Sequence, residues 1–133
     1  MSAGRYSFTI EQGSTVNFEI AYKDSGSNPI NLAGYQARMQ LRPSADSSTI
    51  YITLSSSLAT DGTGLNMSGS DGLKPPTSGA IGVYISAYSS SQLNFDTAYY
   101  DLEIATTTEE YPTVTRILEG RIQLSKEITE GLY

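Results

Sequence analysis

The chain has 133 residues and a formal net charge of −6, and it contains no cysteine, histidine or tryptophan. A single domain of this length buries roughly two-thirds of its unfolded surface, so it requires no covalent or metal staple. The acidity and the lack of any lysine or arginine run argue against nucleic-acid and anionic-membrane partners, and the missing cysteines remove disulfides and thiolate metal sites.

Hydrophobic residues make up 38% of the chain and charged ones 17%. The apolar residues are patterned rather than diluted, so order is expected over most of the chain. Met1 to Arg5 lack the apolar centre of a signal peptide. No apolar run approaches the roughly 18 residues of a membrane span. The expectation is a soluble protein made in the cytoplasm.

Along the chain, Tyr6, Phe8 and Ile10 alternate with polar residues, the period of a half-buried strand. After a Gly13-Ser14 turn, Val16, Phe18, Ile20 and Tyr22 repeat the pattern. Asp24 to Pro29 is written in turn residues. Ile30 to Tyr35 leads into Ala37, Met39 and Leu41, and Pro43 closes that strand because it offers no N–H to a ladder. Ile50, Ile52 and Leu54 alternate again. Residues 55–79 are rich in Ser, Thr and Gly, with Leu65-Asn66-Met67 as a short strand inside them. A loop of that length inside a small domain is expected to be either partly ordered or functional. Ile81, Val83 and Ile85 resume the alternation, and Ser89 to Leu93 are expected to make one helical turn.

The final third is the most regular part. Tyr100 to Ile104 and Thr115 to Ser125 read as two strands of a hairpin, with Gly120 marking a bulge or a close backbone approach. About seven or eight strands with no helical periodicity of any length predict an all-β fold. The single apolar face on each strand favours an antiparallel β-sandwich of immunoglobulin-like type over residues 1–125, with 126–133 as a C-terminal arm.

Chemistry is scarce in these residues. Without histidine and cysteine the common nucleophile–base pairs cannot form. Lys23, Lys74 and Lys126 sit in turns or at strand ends, where solvation keeps them ordinary. Asp101 and Glu103 share a strand face at roughly 7 Å, a spacing of interest for glycoside hydrolysis. Nothing in the sequence marks an aromatic cleft around them, so they are expected to be solvated surface. Glu109-Glu110 reads as a solubility feature. Asp61-Gly62-Thr63-Gly64 and Asp71-Gly72 bear oxygen ligands but miss the calcium-loop spacing, so turn chemistry is the expectation. No catalytic, cofactor or metal residue is assigned.

Ten tyrosines remain. Tyr6, Tyr22 and Tyr100 are in phase with core positions. Tyr35, Tyr51, Tyr88, Tyr99, Tyr111 and Tyr133 are out of phase or in loops, so contact surfaces are expected among them. Partner contacts are assigned to Tyr111, Ile128, Leu132 and Tyr133.

Two stretches of wording carry a resemblance. The segment IEQGSTVNFEIAYKDSGSNPINLAGYQARMQLR supplies Asp24, Pro29, Leu32, Gly34, Tyr35, Ala37, Met39 and Arg42; the closing hairpin reads YDLE, then RILEGRIQLS, then KEIT. Both resemble small β-sandwich structural proteins of tailed phages, including the amino-terminal domains of some upper baseplate proteins. Residues 43–79 are not diagnostic. The resemblance implies a non-enzymatic virion protein of the tail, baseplate or neck. It would be assembled in the host cytoplasm and would work by self-association and docking to other virion proteins. With no extension beyond the domain, a long fibre is not expected. A head-decoration protein and a carbohydrate-binding adhesin module are the alternatives, the latter with a glycan partner.

Overall fold

The structure, a computed structural model, describes residues 3–133; Met1 and Ser2, part of the expected leaderless start, lie outside the described residues. Alternating segments become strands at β1 (Gly4–Arg5), β2 (Phe8–Glu11), β3 (Val16–Ala21), β4 (Tyr35–Arg42), β5 (Ile52–Ser55), β6 (Gly64–Asn66), β7 (Ala80–Ile85), β8 (Thr97–Thr106) and β9 (Val114–Ser125). Among the described residues a 3-10 turn at Pro76–Ser78 precedes β7, and one α-helix, α1 (Ala87–Ser91), precedes β8. It starts two residues earlier than expected because the Ser86 side chain caps it by accepting from the Ser89 amide at 3.0 Å.

The strands form two sheets. The larger runs β1-β9-β8-β4-β5, with β2 also on β9; the smaller runs β3-β7-β6. In immunoglobulin lettering these are the G-F-C-C′ and B-E-D orders, so the fold is an immunoglobulin-like sandwich. Antibody domains pin the two sheets with a disulfide and a tryptophan. This chain has neither. Fully enclosed Met39, Leu54 and Leu102 from the large sheet instead meet Leu65, Ile81 and Val83 from the small one.

One pairing departs from an all-antiparallel sandwich. β1 and β2 run parallel to β9. Parallel neighbours need a long crossover, and here almost the whole domain serves as one. The break between β1 and β2 also corrects the placing of Tyr6, which is 48% exposed rather than core. Its amide still donates to the Glu119 carbonyl at 2.9 Å, while its ring stacks outside Phe8 at 5.6 Å and lies 5.9 Å from Phe18. The three rings close the gap between β2 and the free edge of β3.

Tyr100 is buried as expected and donates its hydroxyl to the Tyr6 carbonyl. Burial holds that hydroxyl far above the ordinary tyrosine range. Gly120 lies beneath the same carbonyl, which a Cβ at this position would strike, so the close approach expected there is present. The bulge lies elsewhere: Leu102 pairs with Leu118 and Glu103 with Arg116, leaving Ile117 as the extra residue. Ile117 is buried and Leu118 partly so, both against the core.

Of the other tyrosines, Tyr22 and Tyr35 are half-buried against the core, and Tyr51 stacks on Phe95 at 4.7 Å. The Ser/Thr/Gly-rich stretch is ordered by its own side chains. Asp61, Asn66 and Asp71 accept from the amides of Thr63, Ser68 and Leu73, each two residues on. The short strand expected at 65–67 is β6, one residue earlier.

Candidate functional site

Alternation along β4, β8 and β9 sends Leu41, Tyr100 and Ile122 inward and their neighbours Arg42, Tyr99 and Arg121 outward. Register then places Arg42 opposite Tyr99 and Tyr99 opposite Arg121. Adjacent strands are about 4.8 Å apart, so the three side chains form one transverse row roughly 10 Å long. The next row is Gln40, Asp101 and Glu119. The third is Arg38, Glu103 and Arg116. Arg5 enters from β1, opposite Glu119.

All five arginines of the chain therefore lie on or beside one sheet face, with Asp101, Glu103 and Glu119 as its acids. Elsewhere the remaining acids outnumber three lysines. The face is locally positive on an acidic protein.

Arg116 is engaged with Asp101 at 3.2 Å and Glu119 at 3.9 Å. Among the described residues, Arg5, Arg38, Arg42 and Arg121 have no acid within ion-pair distance. Arg42 is nonetheless held in place, donating to Gln40 Oε1 at 2.7 Å and to the Ser47 carbonyl at 3.1 Å. Between Arg5, Arg42, Arg121 and Tyr99, which is 49% exposed, lies an open depression of about 760 Å³; Arg38 does not line it.

The depression contains Asp101 and Glu103, the carboxylates of interest in the sequence. Its lining is charged and hydroxylated, and it opens to solvent, unlike the apolar pocket that keeps a catalytic acid protonated. The arrangement suits binding an anionic group beside an aromatic ring.

A second polar cluster is structural. Asp61 Oδ2 accepts from the Ser86 and Ser89 hydroxyls, both at 2.6 Å, while Oδ1 accepts from the Thr63 amide at 3.0 Å. These bonds, the Ser86 one foremost, hold the carboxyl well below the usual carboxylate range. The result ties the 59–63 turn to the start of α1. Among the described residues no group of three or more metal-ligating His, Cys, Asp or Glu side chains occurs, and no helix is long and apolar enough to cross a membrane.

The residues assigned to partner contact fall at two poles. Tyr111 sits at the tip of the β8–β9 hairpin and is 83% exposed. Ile128 and Leu132 are 99% and 93% exposed at the other end, where β9 leaves the sheet. The 126–133 segment is tethered at its start, Glu127 donating its amide to Gln12 Oε1 at 3.1 Å and Lys126 lying 3.6 Å from Asp96. Tyr133 folds back, its hydroxyl donating to Glu127 Oε1 at 2.7 Å; that bond raises the Tyr133 pKa. β8 alone spans roughly 30 Å at about 3.4 Å per residue, so Tyr111 and the arm do not share a surface. The arginine row was not assigned from sequence. Arg38, Arg42 and Arg121 alternate with apolar residues, but only the register brings them together.

No family model and no curated protein matches this chain. Among solved structures, a chicken TCR crystal structure is similar at a TM-score of 0.46 and 12% identity, covering 94% of this chain and 55% of that one. The chain thus spans about half the length of that structure.

Proposed function

We propose that the protein is a non-enzymatic structural component of a tailed-phage virion, in the tail, baseplate or neck, acting by self-association and docking to other virion proteins. The resemblance of both ends of the sequence to phage β-sandwich proteins supports the reading. The observation that carries it is the placing of Tyr111 at one pole and of Ile128 and Leu132 at the other. Large apolar side chains left in solvent at both ends of a well-packed sandwich suit a part that is gripped from two sides.

Cryo-electron microscopy of particles tests the reading by locating the sandwich and its symmetry. Density in the tail or neck supports it, density on the capsid surface favours head decoration, and absence from the particle overturns both. Specific glycan-array binding by the isolated protein would favour the carbohydrate module instead. For the arm, deletion of Gly131 to Tyr133 is expected to reduce incorporation into particles. Unchanged incorporation removes the arm from the contact set.

A further inference from the structure

The depression on the large sheet and the hairpin tip complement each other. The depression presents Arg42 and Arg121 without acid partners on either side of Tyr99. Its volume of about 760 Å³ accommodates several side chains. The tip carries Glu109 and Glu110 next to Tyr111. Among the described residues Glu109 has one weak partner, the Thr113 hydroxyl at 3.4 Å, and Glu110 has none. Asp101, Glu103 and Glu119 also line the depression, Arg116 pairing with Asp101 and Glu119. The cations left for an incoming anion are therefore those flanking Tyr99, and the tip offers carboxylates beside an aromatic ring.

We propose that the depression receives the β8–β9 hairpin tip of a second copy of the chain, with Glu109 and Glu110 answering Arg42 and Arg121 and the Tyr111 ring lying against Tyr99. Both surfaces are on the same two strands, roughly 25–30 Å apart along them, so a molecule cannot fill its own depression. The contact is heterologous: tip to face, repeated from copy to copy, closing as a ring or extending as a filament. Arg42 is already oriented by Gln40 and the Ser47 carbonyl, so docking orders little more of that side chain. This inference rests on the self-association part of the function proposed above and names the surfaces that perform it.

The test uses the full chain in two variants, Glu109→Ala/Glu110→Ala at the tip and Arg121→Glu on the face, by analytical ultracentrifugation at low salt. The wild type is expected to associate with rising concentration, and more weakly at high salt. Each variant alone is expected to lose roughly tenfold or more in affinity with its circular dichroism unchanged. Mixed in equal amounts, the two variants retain one intact tip and one intact face between them. The mixture is therefore expected to form a two-chain complex that grows no further. Should Arg121→Glu disturb folding, Arg121→Ala replaces it as the face variant.

Variants that associate like the wild type overturn this contact and leave self-association standing. Variants that fail to pair when mixed also overturn it. A wild type that stays monomeric overturns the contact and self-association together, and the particle experiment then decides the virion reading separately.

Discussion

The small sheet has the part of its outer face around Glu19 and Gly82 covered by the chain's own 67–74 loop, whereas the outer face of the large sheet is left open. Over the small sheet, Ser70 donates its amide to Glu19 Oε1 at 2.9 Å and Lys74 pairs with the second Glu19 oxygen. The loop backbone rests on Gly82, where an added Cβ would stand 2.7 Å from the Gly69 carbonyl oxygen. Over the large sheet no segment intervenes among the described residues, and arginines and Tyr99 point into solvent. The same chain therefore finishes one face for stability and leaves the other chemically legible. That difference separates the docking surface from the scaffold.

The largest expected effect lies between the faces, in the shared core. Leu102→Ala removes a fully enclosed side chain from the large sheet and should cost about 2–5 kcal/mol in urea unfolding. Next, Gly82→Val should cost about 1–3 kcal/mol by forcing the loop off the small sheet, although valine itself suits a strand. The matched change on the other face, Arg121→Ala, should stay within about 0.5 kcal/mol. Equal costs at the two positions would erase the comparison.

The strands themselves were readable from residue alternation because each has one buried face. Tyr100 and the close approach at Gly120 were likewise readable. The parallel pairing of β1 and β2 with β9 was not, since the partners are more than a hundred residues apart and local pattern does not choose between partners. Tyr6 kept the right phase yet fell at a break in that pairing. The Arg42–Tyr99–Arg121 row was hidden for a related reason. It spans three strands, and its existence depends on two registers that no single segment encodes. The exposed Tyr111, Ile128 and Leu132 could be found from sequence because each lies outside any apolar alternation that would bury it.

Smaller effects follow from the polar tethers. The folded-state pKa of Asp61 is lowered, so its stabilisation is present above about pH 4 and is lost progressively as pH falls below that range. Asp61→Asn should therefore lower the melting temperature at neutral pH. It should also flatten the acid-side fall between about pH 5 and pH 2, measured by thermal melts across that range. Smallest of all, Lys74→Met breaks a solvent-exposed ion pair of the kind that contributes little to global stability. It is expected to leave the melting temperature nearly unchanged while speeding hydrogen exchange at the Ser70 amide. Such loosening would stay confined to the covered face.

Because the chain has no cysteine, disulfide trapping reads the central contact directly. Tyr111→Cys combined with Tyr99→Cys places one thiol at the tip and one in the open face. Tyr111→Cys combined with Leu73→Cys places the second thiol on the loop over the covered face, at a more exposed position than Tyr99. Under mild oxidation, the first pair is expected to give a ladder of covalently linked chains on a non-reducing gel, and the second to remain predominantly monomeric. A ladder from both pairs, or from neither, would contradict the assignment of the open face as the surface that receives the hairpin tip.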